Sequence, residues 1–358
     1  MSSALRQRLL SHAGLVVGLT FILLVVFSLS VGLGGFPVIA SLRALLGGAF
    51  GSPDALLSAT IVRAVPLLLT GLAVALAFRA GVMNIGAEGQ LLIGAAAAVA
   101  VGLAFAGSLG RLTVAAELVA AAAGGVLWAL PPAWLRRQFG VLEVISTIMM
   151  NFLALHLVSF LVRGPLQEPS GVYPQSSTLD PVAQLPALFS GTRLHWGAVL
   201  AASITVAVGW VLRYTAVGFR IVASGANPTA AREAGLVPVS RLTFRVFLLS
   251  AAFAGLAGGI QVTGVTLALY ENLSPGYGYT AIAVALLAGL KPAWLIPSSV
   301  LFGALDAGAA AMQRDVGVPA GYVAFLQALI MLALLVAPRL ARLRQDPRPS
   351  ATRSPASA

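Results

Sequence analysis

Cysteine is absent from this chain, and lysine occurs once, as Lys291, in 358 residues. The first absence excludes disulfides, thiolate metal sites and cysteine nucleophiles. Charge is scarce: 9% of the residues are Asp, Glu, Lys or Arg, against about 25% in a typical soluble domain. The three histidines, His12, His156 and His195, are too far apart for a local metal motif, and no HExxH occurs. There is no GxxxxGK[ST] loop either. Lys291 sits in Gly289-Leu290-Lys291-Pro292 with no phosphate-cradling glycines before it, so the chain is not equipped to hydrolyse ATP alone. No residues with catalytic spacing are found.

What is present is apolar. Hydrophobic residues make up 59% of the chain, and a helix that crosses a bilayer needs about 20 largely apolar residues. Ten such stretches are legible, at roughly 13–33, 60–79, 90–108, 112–135, 141–162, 195–212, 246–265, 278–290, 294–312 and 319–337. The expected fold is therefore all-α: a polytopic membrane protein of about ten transmembrane helices. Residues 1–12 read as a basic cytoplasmic leader, 13–337 as the transmembrane domain, and the Pro- and Ser-rich 338–358 as a disordered cytoplasmic tail. The first apolar run is too long for a secretory signal and lacks the usual cleavage pattern, so it reads as a retained helix.

The formal charge of +11 has the look of a nucleic-acid signal. Threading ten spans with the N-terminus inside gives it another meaning. Only Arg43, Arg63, Arg111, Arg163, Arg193 and Arg314 then fall outside, and the remaining 16 of the 22 basic residues fall inside. That follows the positive-inside rule, puts both termini in the cytoplasm and argues against nucleic acid as a partner.

Two stretches interrupt the apolar pattern. The first, Ala77-Phe-Arg-Ala-Gly-Val-Met-Asn-Ile-Gly-Ala-Glu-Gly-Gln-Leu-Leu-Ile-Gly94, carries Asn84, Glu88 and Gln90 among Gly81, Gly86 and Gly89. Backbone broken at membrane depth must be shielded by protein or line a watery path. These side chains bond either the freed backbone or a polar solute; the plainer alternative is a tight cytoplasmic turn with a capped helix start. The second, Tyr270-Glu-Asn-Leu-Ser-Pro-Gly-Tyr-Gly-Tyr279, precedes a short apolar run. Paired Gly/Pro-broken segments point to a solute path near the midplane, with 60–162 and 246–337 as two inverted halves. Tyr277 and Tyr279 offer ring faces to a base or sugar, or anchor at the bilayer edge. Asn151, deep in its span, is a further pathway candidate, although asparagine also serves interhelical contacts. Glu117, Glu143 and Asp306 lie near predicted span ends, where snorkelling or capping accounts for them. Gly255, Gly258 and Gly259 suit close helix packing.

The predicted inside loop 213–245 contains Asn227-Pro228-Thr-Ala-Ala-Arg232-Glu233-Ala-Gly235. Asparagine suits an N-cap, proline the first helical position, and glycine the position just past the end. This specifies a short helix of about two turns, presenting Arg232 and Glu233 for docking into a soluble partner or serving as an ordered connector.

Four strings in order, AFRAGVMNIGAEGQLLIGA, VLEVISTIMMNFLALHLVSFLVRGPL, GFRIVASGANPTAAREAGL and YGYTAIAVALLAGLKP, resemble the permeases of ABC importers in the simple-sugar and nucleoside group, and the nucleoside-type branch above all. The resemblance covers about residues 55–337. It implies a transport subunit of the bacterial inner membrane, not an enzyme, that moves nucleosides or related ribosyl or simple-sugar solutes into the cell by alternating access. It also implies partners: a second related permease, a tandem nucleotide-binding ATPase subunit that holds the ATP and Mg, and an extracytoplasmic solute-binding lipoprotein. Asn227, Pro228, Arg232, Glu233 and Gly235 match the place where such permeases engage the ATPase, and the outer loop 163–194 would face the binding protein. The rival reading is an ion-coupled secondary transporter or channel, against which stands the lack of an intramembrane carboxylate pair or Asp/His relay.

Overall fold

A computed structural model describes residues 24–235 and 238–343. The basic leader, the beginning of the first apolar run and the chain beyond 343 lie outside the described residues. Two compact units emerge: one from the chain's two ends, described at 24–44 and 311–343, and one from 45–310.

The terminal unit holds α1 (Leu24–Leu33) and α13 (Ala320–Leu343). The Tyr322 hydroxyl donates to the Ser30 carbonyl, and its ring packs at 5.5 Å from that of Phe36. Backbone helix continues to Leu343, past Pro338, where the tail was expected to begin. Helix α2 (Val38–Phe50), 13 residues between the first two expected spans, was not foreseen.

The central unit contains α3 (Val62–Arg79), α4 (Ala87–Leu109), α5 (Thr113–Phe139), α6 (Glu143–Arg163), α7 (Gly197–Tyr214), α8 (Ala216–Ala226), α9 (Pro228–Glu233), α10 (Val239–Gln261), α11 (Tyr277–Leu287) and most of α12 (Pro292–Val316). α3 is preceded without a break by a π-helical segment, Ala55–Ile61, and α10 runs on into another, Val262–Thr266. Among the described residues, seven helices are long and apolar enough to cross a bilayer: Ala55–Arg79, Ala87–Leu109, Thr113–Phe139, Glu143–Arg163, Gly197–Tyr214, Val239–Thr266 and Pro292–Val316. The expected span at 278–290 becomes the 11-residue α11, about 16 Å long at 1.5 Å per residue and so too short to span.

Small residues hold the centre together. A Cβ on Gly94 of α4 would overlap the Gly255 carbonyl of α10. One on Gly125 of α5 would overlap the Ala251 carbonyl, and one on Gly258 the Leu91 carbonyl. Backbones of α4, α5 and α10 therefore touch directly, which maximises van der Waals contact where lipid supplies no hydrophobic drive between helices. α3 and α10 are mostly buried, whereas α6 and α7 are mostly not. Exposed Ile145, Met149, Phe152 and Phe160 on α6, with Val206 and Trp210 on α7, give these helices apolar outer faces suited to lipid.

Candidate functional site: two helix breaks that meet

α3 ends at Arg79 because Gly81 turns left-handed, at φ +75°, and the chain runs without regular structure until α4 begins at Ala87. Four polar side chains occupy this first break. The Asn84 amide nitrogen donates to the Gln90 carbonyl oxygen at 2.9 Å and to the Ser250 hydroxyl of α10 at 2.8 Å. Its oxygen accepts from the Gln90 amide at 3.1 Å and from the Gly86 backbone at 3.0 Å. Asn151 of α6 accepts from Gly89 N at 2.8 Å and donates to the Ile85 carbonyl at 2.9 Å. The first turn of a helix leaves its amides unpaired, and Asn84 and Asn151 take up those of Gly86 and Gly89. None of Asn84, Glu88, Gln90 or Asn151 is more than 3% exposed.

The second break follows the π turn Val262–Thr266 and lasts until α11 starts at Tyr277. It contains Leu267 and Asn272 at φ 58° and 57°, a region that L-residues other than glycine visit rarely.

The two breaks meet. Glu88, in the first turn of α4, accepts from the Gly278 amide, in the first turn of α11, at 2.6 Å. A Cβ on Gly278 would overlap the Glu88 backbone nitrogen. Two helix N-termini thus sit side by side with one carboxyl group between them, a placement worth up to about 2 kcal/mol when partly buried. Asn151 also donates to the Tyr279 hydroxyl at 3.3 Å. Five of the six expected pathway residues, Asn84, Glu88, Gln90, Asn151 and Tyr279, therefore fall in one connected network. Tyr279 is 42% exposed. Tyr277 stands apart, buried on another side of α11 facing Tyr270 across a cavity.

α9 forms as its residues specify. The Asn227 side chain accepts from Ala230 N at 3.0 Å, Pro228 opens the helix, Arg232 and Glu233 end it, and Gly235 follows at φ +65°. These residues are not part of the break network. Helix α8, unforeseen in the sequence, joins the two: a Cβ on Gly225 would overlap the Arg79 carbonyl. Arg136 of α5 donates to the Gly81 carbonyl at 3.3 Å and pairs with Glu143 at 3.2 Å, and Glu143 accepts from Met83 N at 3.1 Å. Glu143 therefore clamps the break, and its side chain does not cap its own helix as expected. Pro228, Arg232, Ser224, Arg136, Arg137 and Glu143 share the walls of a cavity of about 250 Å³ beside this clamp.

The loop after α6 lies along the second break. Ser176 N donates to the Leu269 carbonyl at 2.8 Å, Leu179 N to Leu267 O at 2.8 Å, and Leu185 N to Thr263 O at 2.9 Å. Arg163 holds Glu271 through two bonds of 2.7 and 2.9 Å, and Ser159 donates to the same carboxylate. The Arg163 guanidinium, then the Ser159 hydroxyl, hold the Glu271 carboxyl down to about 2. Asp306 pairs with Arg63 at 2.9 Å. Glu117 departs from expectation: it neither snorkels nor caps, but is fully buried against Gly102 with neither oxygen hydrogen-bonded. Its place about a turn from the start of α5 is as expected, but there it packs against Gly102 beside Leu179 instead of reaching the surface.

The apolar spanning helices and a buried polar seam between broken helices define a multi-pass membrane protein with the build of a transport component. The family described as the permease component of the branched-chain amino acid transport system matches residues 56–335, and the chain belongs to that family. It is thus a transport component rather than an enzyme. Among its relatives, a glucose ABC transporter permease of Haloferax volcanii is 38% identical over 80% of this chain and 78% of its own length. A guanosine ABC transporter permease of Bacillus subtilis is 37% identical over 83% of this chain and 86% of its own. A second guanosine permease from the same bacterium is 30% identical over 68% of this chain and 78% of its own.

Proposed function

We propose that this chain is the permease subunit of an ATP-driven importer in the bacterial cytoplasmic membrane, with both termini inside, carrying nucleosides or related ribosyl or simple-sugar solutes. The observation that carries the reading is the junction of the two breaks at Glu88 and Gly278. Broken segments from two inverted halves, 60–162 and 246–337, would meet near the midplane, as a solute path between repeats requires. Asn84, Glu88, Gln90 and Asn151 keep the broken backbone satisfied, and Tyr277 and Tyr279 face the path.

The contacts suggest how alternating access is driven. The ATPase partner, which binds the ATP and Mg, engages α9 through Asn227, Pro228, Arg232, Glu233 and Gly235. Movement there passes to α8, whose Gly225 abuts Arg79, and so into the first break. The Glu88–Gly278 contact passes it to the second break, on which the outer loop 163–194 lies. That loop receives the solute-binding lipoprotein. Each link is a direct packed contact, the kind through which coupling energy travels. Nucleotide shifts the equilibrium only because it binds the two states unequally, and the ATPase supplies that difference. The two related Bacillus subtilis guanosine permeases support a second permease subunit. Family membership weighs against the ion-coupled alternative.

Reconstitution into liposomes tests the reading. Uptake should require ATP, the ATPase, the second permease and the binding protein together. Uptake by this chain alone, driven by an ion gradient, would overturn it.

A further inference from the structure

The two π-helical segments of the described chain, Ala55–Ile61 and Val262–Thr266, lie far apart in sequence but wall the same cavity, of about 380 Å³. Ser58 comes from the first, and Val265 and Thr266 from the second. Gln261, Tyr270 and Tyr277 complete the inner wall, and Arg63 and Arg193 its rim. π-turns inside helices are rare and recur at functional sites. Immediately after the second one, Leu267 is held at φ 58°, a strained geometry that clusters at ligand clamps. Gln261 is 6% exposed and Tyr277 9%, yet the Gln261 amide and the Tyr277 hydroxyl bond to no described residue. Both residues line the cavity, so a solute entering it can pair with them. The size lies within the range of small-molecule sites.

We infer that this cavity between the π turns is where the chain receives its solute, and that it is shaped for a nucleoside rather than a plain sugar. The inference rests on the importer reading and narrows it. Two guanidinium groups, an amide, two phenols and two aliphatic hydroxyls line the space, with no carboxylate among them. Arg63 is paired with Asp306, which leaves Arg193, the amide and the hydroxyls to meet a solute. The hydroxyls of a ribose and of a plain sugar pair with such groups alike, so the discrimination rests on the base, whose ring nitrogens accept and whose faces are flat. Tyr270 and Tyr277 add ring faces, on which a flat base gains about 1–3 kcal/mol per stacked contact in other proteins. Arg193 reaches the rim from the outer loop, where its backbone amide donates to the Ser58 hydroxyl at 3.1 Å. The loop that would meet the binding protein thereby touches the cavity mouth.

The test uses the complete transporter in proteoliposomes, with guanosine and glucose as solutes and 8-azidoadenosine as a photolabel. Gln261→Leu keeps the volume and removes the amide; Tyr270→Phe keeps the ring and removes only the hydroxyl. Each should raise the guanosine KM about tenfold, the loss of roughly one well-placed hydrogen bond. In wild-type protein, 8-azidoadenosine should label the peptide bearing Gln261 to Tyr277, and guanosine should compete while glucose does not. This labelling does not depend on any variant folding. Wild-type transport of guanosine with unchanged KM in both variants and labelling elsewhere would overturn the inference while leaving the importer reading intact. Equal competition by glucose would overturn the nucleoside preference. Loss of all ATP-dependent uptake by the wild-type complex would instead overturn the importer reading, and this inference with it.

Discussion

Gly225 of α8 and Arg79 at the end of α3 touch backbone to backbone, so closely that a Cβ on Gly225 would overlap the Arg79 carbonyl. A displacement of α8 cannot be absorbed by a side chain at this point; it moves the end of α3 and the break behind it. Gly225→Val should therefore separate motor from path. Solute uptake by the assembled transporter should fall at least tenfold, since overpacking costs about 1–3 kcal/mol, while the ATPase subunit goes on hydrolysing ATP. Parallel assays of uptake and phosphate release check this, and uptake at the wild-type rate would remove the contact from the coupling route.

Arg232 and Glu233 test the other end of that route. Both lie at the end of α9, away from the break network. Replacing them together with alanine should leave the permease folded and cut the rise in ATP hydrolysis that loaded binding protein produces. Stimulation as large as in wild type would leave α9 as a mere connector.

Glu88 fills a defined hydrogen-bonding role. Glu88→Gln retains an oxygen for the Gly278 amide, and its melting temperature in detergent should stay near that of wild type. Glu88→Ala leaves that amide without its partner next to two helix N-termini, and should lose about 1–3 kcal/mol. Equal melting of the two variants would show that the Gly278 bond contributes nothing.

Close packing at Gly258 makes a sharper comparison. A Cβ there would overlap the Leu91 carbonyl, whereas one on Gly107, in the same bundle, meets nothing within 4 Å. Gly258→Ala should destabilise by about 1–3 kcal/mol, and Gly107→Ala should be neutral or stabilising by up to about 1 kcal/mol, the helix-propensity gain over glycine. Thermal melts of both variants decide it.

The parts of this molecule legible in its sequence are those dictated by local chemistry. α9 could be drawn to the residue because Asn227, Pro228 and Gly235 are cap residues whose roles depend only on their own turn. Gly255 and Gly258 were correctly read as packing residues, because a small residue in an apolar run has little else to do. The breaks announced themselves through glycine and amide residues, but their partners did not. Glu88 and Gly278 are 190 positions apart, and nothing local in either stretch names the other. Helix α8 was missed since its Arg220 and Ser224 blur the apolar period. The π turns left no trace in composition, because a wider helical turn uses the same residues as an ordinary one.

His195 gives the pH prediction. It lies in the connection before α7, is 2% exposed, packs against Gly197 and Gly264, and has neither ring nitrogen hydrogen-bonded. Burial pushes the imidazole down to about 4 from an ordinary value near 6.5. The unfolded chain therefore binds a proton between about pH 6.5 and 4 that the folded chain does not. Stability from this residue is fully present above the ordinary value and declines as pH falls through that window, by on the order of 3 kcal/mol in all. Glu271 acts in a lower window: its carboxyl is held down to about 2, so its contribution fades only as pH drops from about 4.5 toward 2. Melting temperatures of wild type and His195→Gln, measured from pH 7 to pH 4.5, should thus converge as the medium is acidified, because the variant has no imidazole to protonate. Parallel curves across that range would show that the pH dependence of folding arises elsewhere.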